Sequence, residues 1–125
     1  IVTQIRAHSP SSKIVIALTT PSPVQATTPD QATCPHYDKF PKAGFVSAMN
    51  KIAVSVAEEL GVIINDRYSF ILPVLGKYQK KCNVHFGPKG SMMMAEQDWK
   101  VLSVALSLGK GRRTSSTNTA LASGQ

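Results

Sequence analysis

Two short apolar runs stand out in the pattern of hydrophobic and polar positions along the chain. Residues 13–18 (KIVIAL) are almost uniformly apolar and rich in β-branched side chains. Residues 62–64 form a similar run that ends at Asn65 and Asp66. Runs of this length are typical of strands buried on both faces of a parallel sheet. The pattern therefore predicts two such strands.

An amphipathic helix is predicted between the two runs. Its apolar side chains recur at helical spacing and are Phe45, Met49, Ile52, Ala53, Val56, Ala57 and Leu60. Gly61 follows as a stop signal. A strand, a helix and a strand in this order predict a right-handed parallel crossover, with the helix covering one face of the sheet.

The segments that flank this unit have weaker patterns. Residues 1–8 resemble the end of a helix, which Ser9 and Pro10 stop. Residues 19–41 contain five of the eight prolines, so we expect a long loop there. Residues 67–81 show partial helical character.

A last helix is predicted from Pro88 or Gly90 to Gly109. Its apolar stripe consists of Ala95, Trp99, Leu102 and Leu106. The segment that follows is polar and rich in Ser and Thr, which is typical of a disordered tail. We therefore expect one structured unit over residues 1–109 and a disordered tail over residues 110–125.

The chain is basic, with a formal net charge of +7 over 125 residues. The positive side chains cluster at Lys77, Lys80, Lys81 and Lys89, and again at Lys110, Arg112 and Arg113. Aromatic residues do not alternate with them as a base-stacking surface requires, so we predict a solvated basic surface and no nucleic-acid partner. Since no apolar run approaches the roughly 20 residues that span a bilayer, we expect no membrane span.

The most informative segment is Cys82-Asn83-Val84-His85-Phe86-Gly87-Pro88-Lys89-Gly90, which places a histidine just before the last helix. It resembles the last conserved block of the SGNH, or GDSL-type, hydrolases, in which Asp-x-x-His is followed by Pro and Gly and then a closing helix. Upstream, the KIVIALTTPSP segment and the stretch from Asn50 to Asp66 are similar to further blocks of that family, in the same order. The resemblance extends from Ile1 to about Leu108.

This resemblance implies ester hydrolysis by a serine, a histidine base and an aspartate that orients the histidine. The base corresponds to His85. The Gly-Asp-Ser nucleophile block and the oxyanion blocks of the family have no counterpart here. We therefore expect the C-terminal part of a carboxylic ester hydrolase, inactive by itself, whose parent acts on a small-molecule, carbohydrate or lipid ester. The alternative is a non-catalytic binding or structural remnant of the same fold.

Cys82 stands where the family has its Asp. A neutral thiol is a poor hydrogen-bond partner for imidazole, and a thiolate needs a lowered pKa. Either the parent works with a weakened Ser-His pair, or another carboxylate orients His85, or the parent is inactive. A plain buried thiol is the simplest interpretation of Cys82.

Two further hypotheses involve the cysteines. Cys34 and His36 together with Cys82 and His85 make a possible zinc ligand set, although the Cys-x-His spacing is tight, and we predict no metal or cofactor. The family's long loop lies near the rim of the active site, which would also allow a Cys34–Cys82 disulfide. His8 is predicted to be a surface residue. The fold that the resemblance implies is α/β, a partial three-layer, doubly wound, flavodoxin-like parallel sheet without its N-terminal half.

Overall fold

The part of the chain whose structure is described consists of helices around a small parallel sheet. The computed structural model describes residues 1–23 and 44–110. A 3-10 turn spans Leu72–Val74. The elements are α1 (Val2–His8), β1 (Val15–Ala17), α2 (Phe45–Glu59), β2 (Ile63–Asn65), α3 (Arg67–Ile71), α4 (Leu75–Tyr78) and α5 (Pro88–Lys110).

The sheet pairs β1 with β2 in parallel. Val15 is opposite Ile63 and Ala17 is opposite Asn65. The ladder continues beyond β1, because the Leu18 N–H donates to the Asn65 carbonyl oxygen at 2.9 Å. Both α2 and α5 pack against β2. The predicted pair of parallel strands, with the intervening helix packed on the sheet, is confirmed.

The end of α2 shows how the chain enters β2. Gly61 has a φ of 57°, in the left-handed region, and its N–H donates to the Glu58 carbonyl oxygen at 3.1 Å. The Val62 N–H reaches back to the Ala57 carbonyl oxygen at 2.8 Å. These two bonds form a Schellman motif, in which glycine is the residue with the lowest conformational cost. The left-handed backbone at the end of α2 is therefore the reason why glycine occupies position 61.

The predicted apolar face of α2 is partly wrong. Val46, Asn50 and Ala57 are the buried residues of this helix. The larger side chains of the predicted stripe are exposed, namely Phe45, Met49, Ile52 and Val56. Apolar residues occur on more than one face of α2, so the spacing alone does not determine which face meets the sheet.

The predicted stripe of α5 is wrong as a core face. Trp99, Leu102 and Leu106 are all exposed, with 69% of the Trp99 surface accessible, and Ala95 is exposed as well. Ala105 is buried instead. The polar contacts of Asp98 explain this difference. Hydrogen bonds from Arg67 in α3 and Asn65 in β2 hold Asp98 towards the sheet, and they thereby set the rotation of α5 about its axis.

The remaining predictions have mixed outcomes. The helix expected before Ser9 is α1, and the segment of partial helical character contains α3, the 3-10 turn and α4. Helix α5 begins at Pro88 and extends to Lys110, one residue past the predicted end at Gly109. Residues 24–41 of the predicted loop and the predicted tail beyond Lys110 lie outside the described residues. The doubly wound sheet stays a prediction.

The core of the described part is small. Its buried apolar residues are Leu18, Val46, Ala57, Val62, Ile71, Leu75 and Ala105. Among the helices of the described ranges, none has both the length and the apolar character needed to cross a bilayer. Because the core is small, much of the apolar surface of the described part is exposed.

Candidate active site

His85 lies in a tight turn between α4 and α5. Gln79 and Phe86 form an antiparallel bridge at the base of the turn. The Lys80 N–H donates to the His85 carbonyl oxygen at 2.9 Å, and the Gly87 N–H donates to the Tyr78 carbonyl oxygen at 2.9 Å. These bonds fix both ends of the segment that carries the histidine.

The tip of this turn is formed by Lys80, Cys82 and Asn83. The Asn83 N–H donates to the Lys80 carbonyl oxygen at 3.2 Å, and Cys82 has a φ of 54°. A left-handed residue at the third position is typical of a type II turn, where glycine or asparagine is usual. Cys82 is disulfide-bonded. The interpretation of Cys82 as a plain buried thiol is therefore wrong, while Cys34 lies outside the described residues.

The imidazole of His85 bonds to Asn83. Its Nδ1 lies 2.5 Å from Asn83 Oδ1, and the His85 backbone N–H donates to the same oxygen at 3.0 Å. The His85 side chain is exposed. His85 and Cys82 share one turn, but the side chain that holds the imidazole is Asn83, a residue without a predicted role. An asparagine side chain that accepts a hydrogen bond from the backbone N–H two residues later is a recurrent local motif. The two-residue spacing of Asn83 and His85 was therefore the signal in the sequence that could have indicated this contact.

The turn is attached beyond the carboxyl end of β1. Gln79 Nε2 donates to the carbonyl oxygen of the buried Pro21 at 3.1 Å. Asn50 of α2 holds the same segment through Thr19, accepting from its N–H at 3.0 Å and donating to its carbonyl oxygen at 2.8 Å. Open α/β sheets bind ligands outside the carboxyl ends of their strands. The position of the turn therefore suits a ligand site.

Gly90 allows α5 to begin close behind the turn. A Cβ placed on this buried residue would lie 2.8 Å from Tyr78 Cβ and 3.2 Å from Phe86 Cβ. The first turn of α5 therefore contacts both arms of the turn that carries His85. The Gly of the block that resembles the SGNH hydrolases has in this way a structural role in supporting the turn that carries the histidine.

A polar cluster joins α5 to the ends of β2 and α3. Arg67 binds Asp98 through both Nε, at 2.7 Å from Oδ1, and Nη2, which contacts Oδ2. Asn65 Nδ2 donates to Asp98 Oδ1 at 2.7 Å. The Arg67 bond lowers the pKa of Asp98, and the Asn65 bond acts in the same direction although partial burial opposes both. This cluster fixes α5, and α5 in turn supports the turn that carries His85.

The surroundings of His85 are positively charged. The segment from residue 77 to residue 89 contains four lysines and no Asp or Glu. Lys77, Lys80, Lys81 and Lys89 are all exposed, as expected for a solvated basic surface, and Lys77 Nζ lies 5.4 Å from the centre of the Tyr78 ring. His8 is exposed on α1.

The zinc hypothesis gains no support within the described ranges. No group of three or more His, Cys, Asp or Glu in residues 1–23 and 44–110 is arranged to hold a metal ion. Cys34 and His36 lie outside these ranges. Because zinc binds cysteine as a thiolate, the disulfide-bonded Cys82 does not offer a zinc ligand.

Comparisons with protein-family models, with curated proteins and with solved structures found no match for this chain. The resemblance to the SGNH hydrolases therefore stays a prediction that the residues around His85 carry. Three features of the geometry bear on it: the exposed imidazole, its bond to Asn83, and the attachment of the turn beyond β1.

Proposed function

We propose that this chain supplies the histidine base of a carboxylic ester hydrolase of the SGNH type, whose serine nucleophile lies on a segment outside this sequence. The observation that carries the proposal is the exposed His85 imidazole, held at Nδ1 by Asn83 on a turn beyond the carboxyl end of a parallel strand. An accessible, oriented imidazole at this edge is the arrangement that general-base catalysis requires.

The proposed reaction is acyl transfer in two steps. The serine oxygen attacks the ester carbonyl carbon while Nε2 of His85 takes the serine proton, and that proton then passes to the departing alkoxide. Water then attacks the resulting acyl-serine while Nε2 of His85 takes a proton from the water, and that proton passes to the serine oxygen. This step releases the acid and restores the serine. The substrates are esters of small alcohols, carbohydrates or lipids.

The proposal also accounts for surfaces that the described part leaves uncovered. Within this part, β1 pairs along one edge only, with β2. The large apolar side chains of α2 and α5 are exposed, among them Phe45, Ile52 and Trp99. In a doubly wound sheet, further strands would extend β1 and further helices would cover these faces.

A second candidate function is a binding or structural remnant of the same fold. The disulfide at Cys82 favours it, because the residue at the position of the family's Asp then carries neither a carboxylate nor a thiolate. On this alternative, His85 is an ordinary surface histidine, and the turn serves as part of an interaction surface.

The test is to express this chain in one polypeptide with the coding sequence that precedes Ile1. The proposal expects a Gly-Asp-Ser block there, labelling by a serine-directed fluorophosphonate, and hydrolysis of p-nitrophenyl acetate. His85→Ala should lower kcat by about 10²- to 10⁴-fold, the range of general-base catalysis, whereas the control His8→Ala should leave it unchanged. An extended polypeptide without the serine block, or one unaffected by His85→Ala, would support the remnant instead.

A further inference from the structure

Two hydrogen bonds to a single oxygen determine the orientation of the Asn83 amide. The His85 backbone N–H lies 3.0 Å from the Asn83 atom that also contacts the imidazole. A backbone N–H can only donate, so this atom must be an acceptor. It is therefore the amide oxygen, and the exchange of O and N that often leaves an asparagine undetermined does not arise here.

The same oxygen determines the state of the imidazole. An amide oxygen offers only lone pairs, so the His85 Nδ1, at 2.5 Å, must carry a proton to bond with it. A neutral imidazole has one N–H, and Nε2 then holds the free lone pair. None of the described residues bonds Nε2, and the side chain is exposed.

From this geometry we infer that Asn83 is the positioning residue of the site: it fixes His85 in the tautomer with the proton on Nδ1 and leaves Nε2 to accept the proton of a serine. The assignment of this role rests on the proposed function. Cys82 does not perform it, because a disulfide sulfur has no negative charge with which to hold the Nδ1 proton. A neutral amide thus takes the place of the carboxylate that the sequence resemblance implies.

The tautomer can be measured on the chain itself. The ring nitrogens of ¹⁵N-labelled protein are observed by NMR at mildly alkaline pH, because a tautomer ratio is defined only for a neutral ring. They are assigned with His8→Gln and His85→Gln. We expect His85 to carry its proton on Nδ1. The exposed His8, which has no hydrogen-bond partner in the described residues, reports the ratio of tautomers of a solvated imidazole.

Variants at Asn83 separate this role from general support of the turn. Asn83→Ala should move the ratio of tautomers at His85 to that of His8, whereas Asn83→Asp, which retains the acceptor, should keep the proton on Nδ1. Val84→Ala is the matched control, because Val84 lies between the two residues and is exposed. A wild-type His85 with the tautomer ratio of His8 would overturn the inference, and this result does not depend on the folding of any variant.

Kinetics of the extended polypeptide distinguish the two proposals. Asn83→Ala should lower kcat by about 10²-fold with little change in KM, because the loss is in general-base catalysis. Asn83→Asp, which keeps the acceptor oxygen, should have a kcat close to that of the wild type. An inactive extended polypeptide in which His85 still has its proton on Nδ1 overturns the proposed function alone. An active enzyme in which His85 has the same tautomer ratio as His8 overturns the role of Asn83 alone.

Discussion

Gly90 shows how closely one residue constrains the turn that carries His85. The glycine is buried, and a Cβ at this position would lie 2.8 Å from Tyr78 Cβ, so that a side chain here requires its neighbours to move. The helix gains little from glycine, since alanine has the higher helix propensity. The packing against the turn is therefore the reason for glycine at this position.

We predict that Gly90→Ala destabilises the chain by roughly 1–3 kcal/mol, because the new methyl group overpacks the contact with Tyr78. The matched control is Gly76→Ala in α4, where a Cβ would meet nothing within 4 Å. That variant should be neutral or slightly stabilising. Urea unfolding followed by circular dichroism measures both, and equal stabilities for the two variants would show that Gly90 is not a contact residue.

At this scale the sequence indicated some residues of the site and not others. His85, Pro88 and Gly90 belong to a motif, so their importance could be predicted from spacing. The bond from Asn83 to His85 depends on the left-handed Cys82 and on the path of the turn, which the motif does not specify. The disulfide state of Cys82 depends on a contact that sequence spacing leaves open.

Among the elements, α5 is held by charge as well as by packing. The bidentate bond between Arg67 and Asp98 joins α5 to α3, and Asn65 joins it to β2. Because the folded state lowers the pKa of Asp98, the cluster contributes stability above the unfolded pKa of about 3.9. That contribution is lost as the pH falls through the folded pKa.

We predict that Asp98→Asn lowers the free energy of unfolding by roughly 1–2 kcal/mol at neutral pH, since the bond is charge-assisted but partly solvated. The difference from wild type should shrink as the pH falls below about 4. Glu96→Gln, on an exposed position of the same helix, is the control. A difference that stays constant down to pH 2 would contradict an ionic role for Asp98.

Helix α2 allows a second test at the level of elements, because the predicted apolar stripe contains both exposed and buried residues. We predict that Ile52→Gln changes the free energy of unfolding by less than about 0.5 kcal/mol, because Ile52 is exposed. Ala57→Leu should cost roughly 1–3 kcal/mol, because Ala57 is fully buried. The opposite order of costs would contradict the burial of Ala57 and the exposure of Ile52.

The elements themselves could be predicted well and their rotations poorly. Apolar runs and helical spacing indicated β1, α2, β2 and α5, because periodicity reports which segments need burial. Helix α2 has apolar residues on several faces, and the buried ones are Val46 and Ala57 beside Asn50, so apolar spacing alone does not determine its rotation. In α5 the bonds of Asp98 determine the rotation, which hydrophobic spacing does not encode.

For the molecule as a whole, the described part combines a small core with a large apolar exterior. Trp99 and Ile52 are 69% and 58% exposed, and the described sheet has two strands. Exposed apolar surface of this kind marks interaction sites. The proposed function assigns these surfaces to the remainder of a hydrolase domain.

We predict that the 125-residue chain alone hydrolyses p-nitrophenyl acetate no faster than free imidazole at equal concentration, because the proposal places the nucleophile outside it. His85→Ala should remove at most the small contribution of one accessible imidazole. Turnover that disappears in a Ser→Ala variant of this chain would show that it contains its own nucleophile.

The disulfide at Cys82 has a consequence for where the chain can be produced in its described form. Glutathione and thioredoxin keep thiols reduced in most cytosols, whereas the periplasm and the endoplasmic reticulum allow disulfides to persist. In a reducing host the left-handed backbone at Cys82 would lack its cross-link, and the tip of the turn would be held by the Asn83–Lys80 bond and its neighbours. Material secreted into an oxidising compartment is therefore the appropriate source for every measurement on His85.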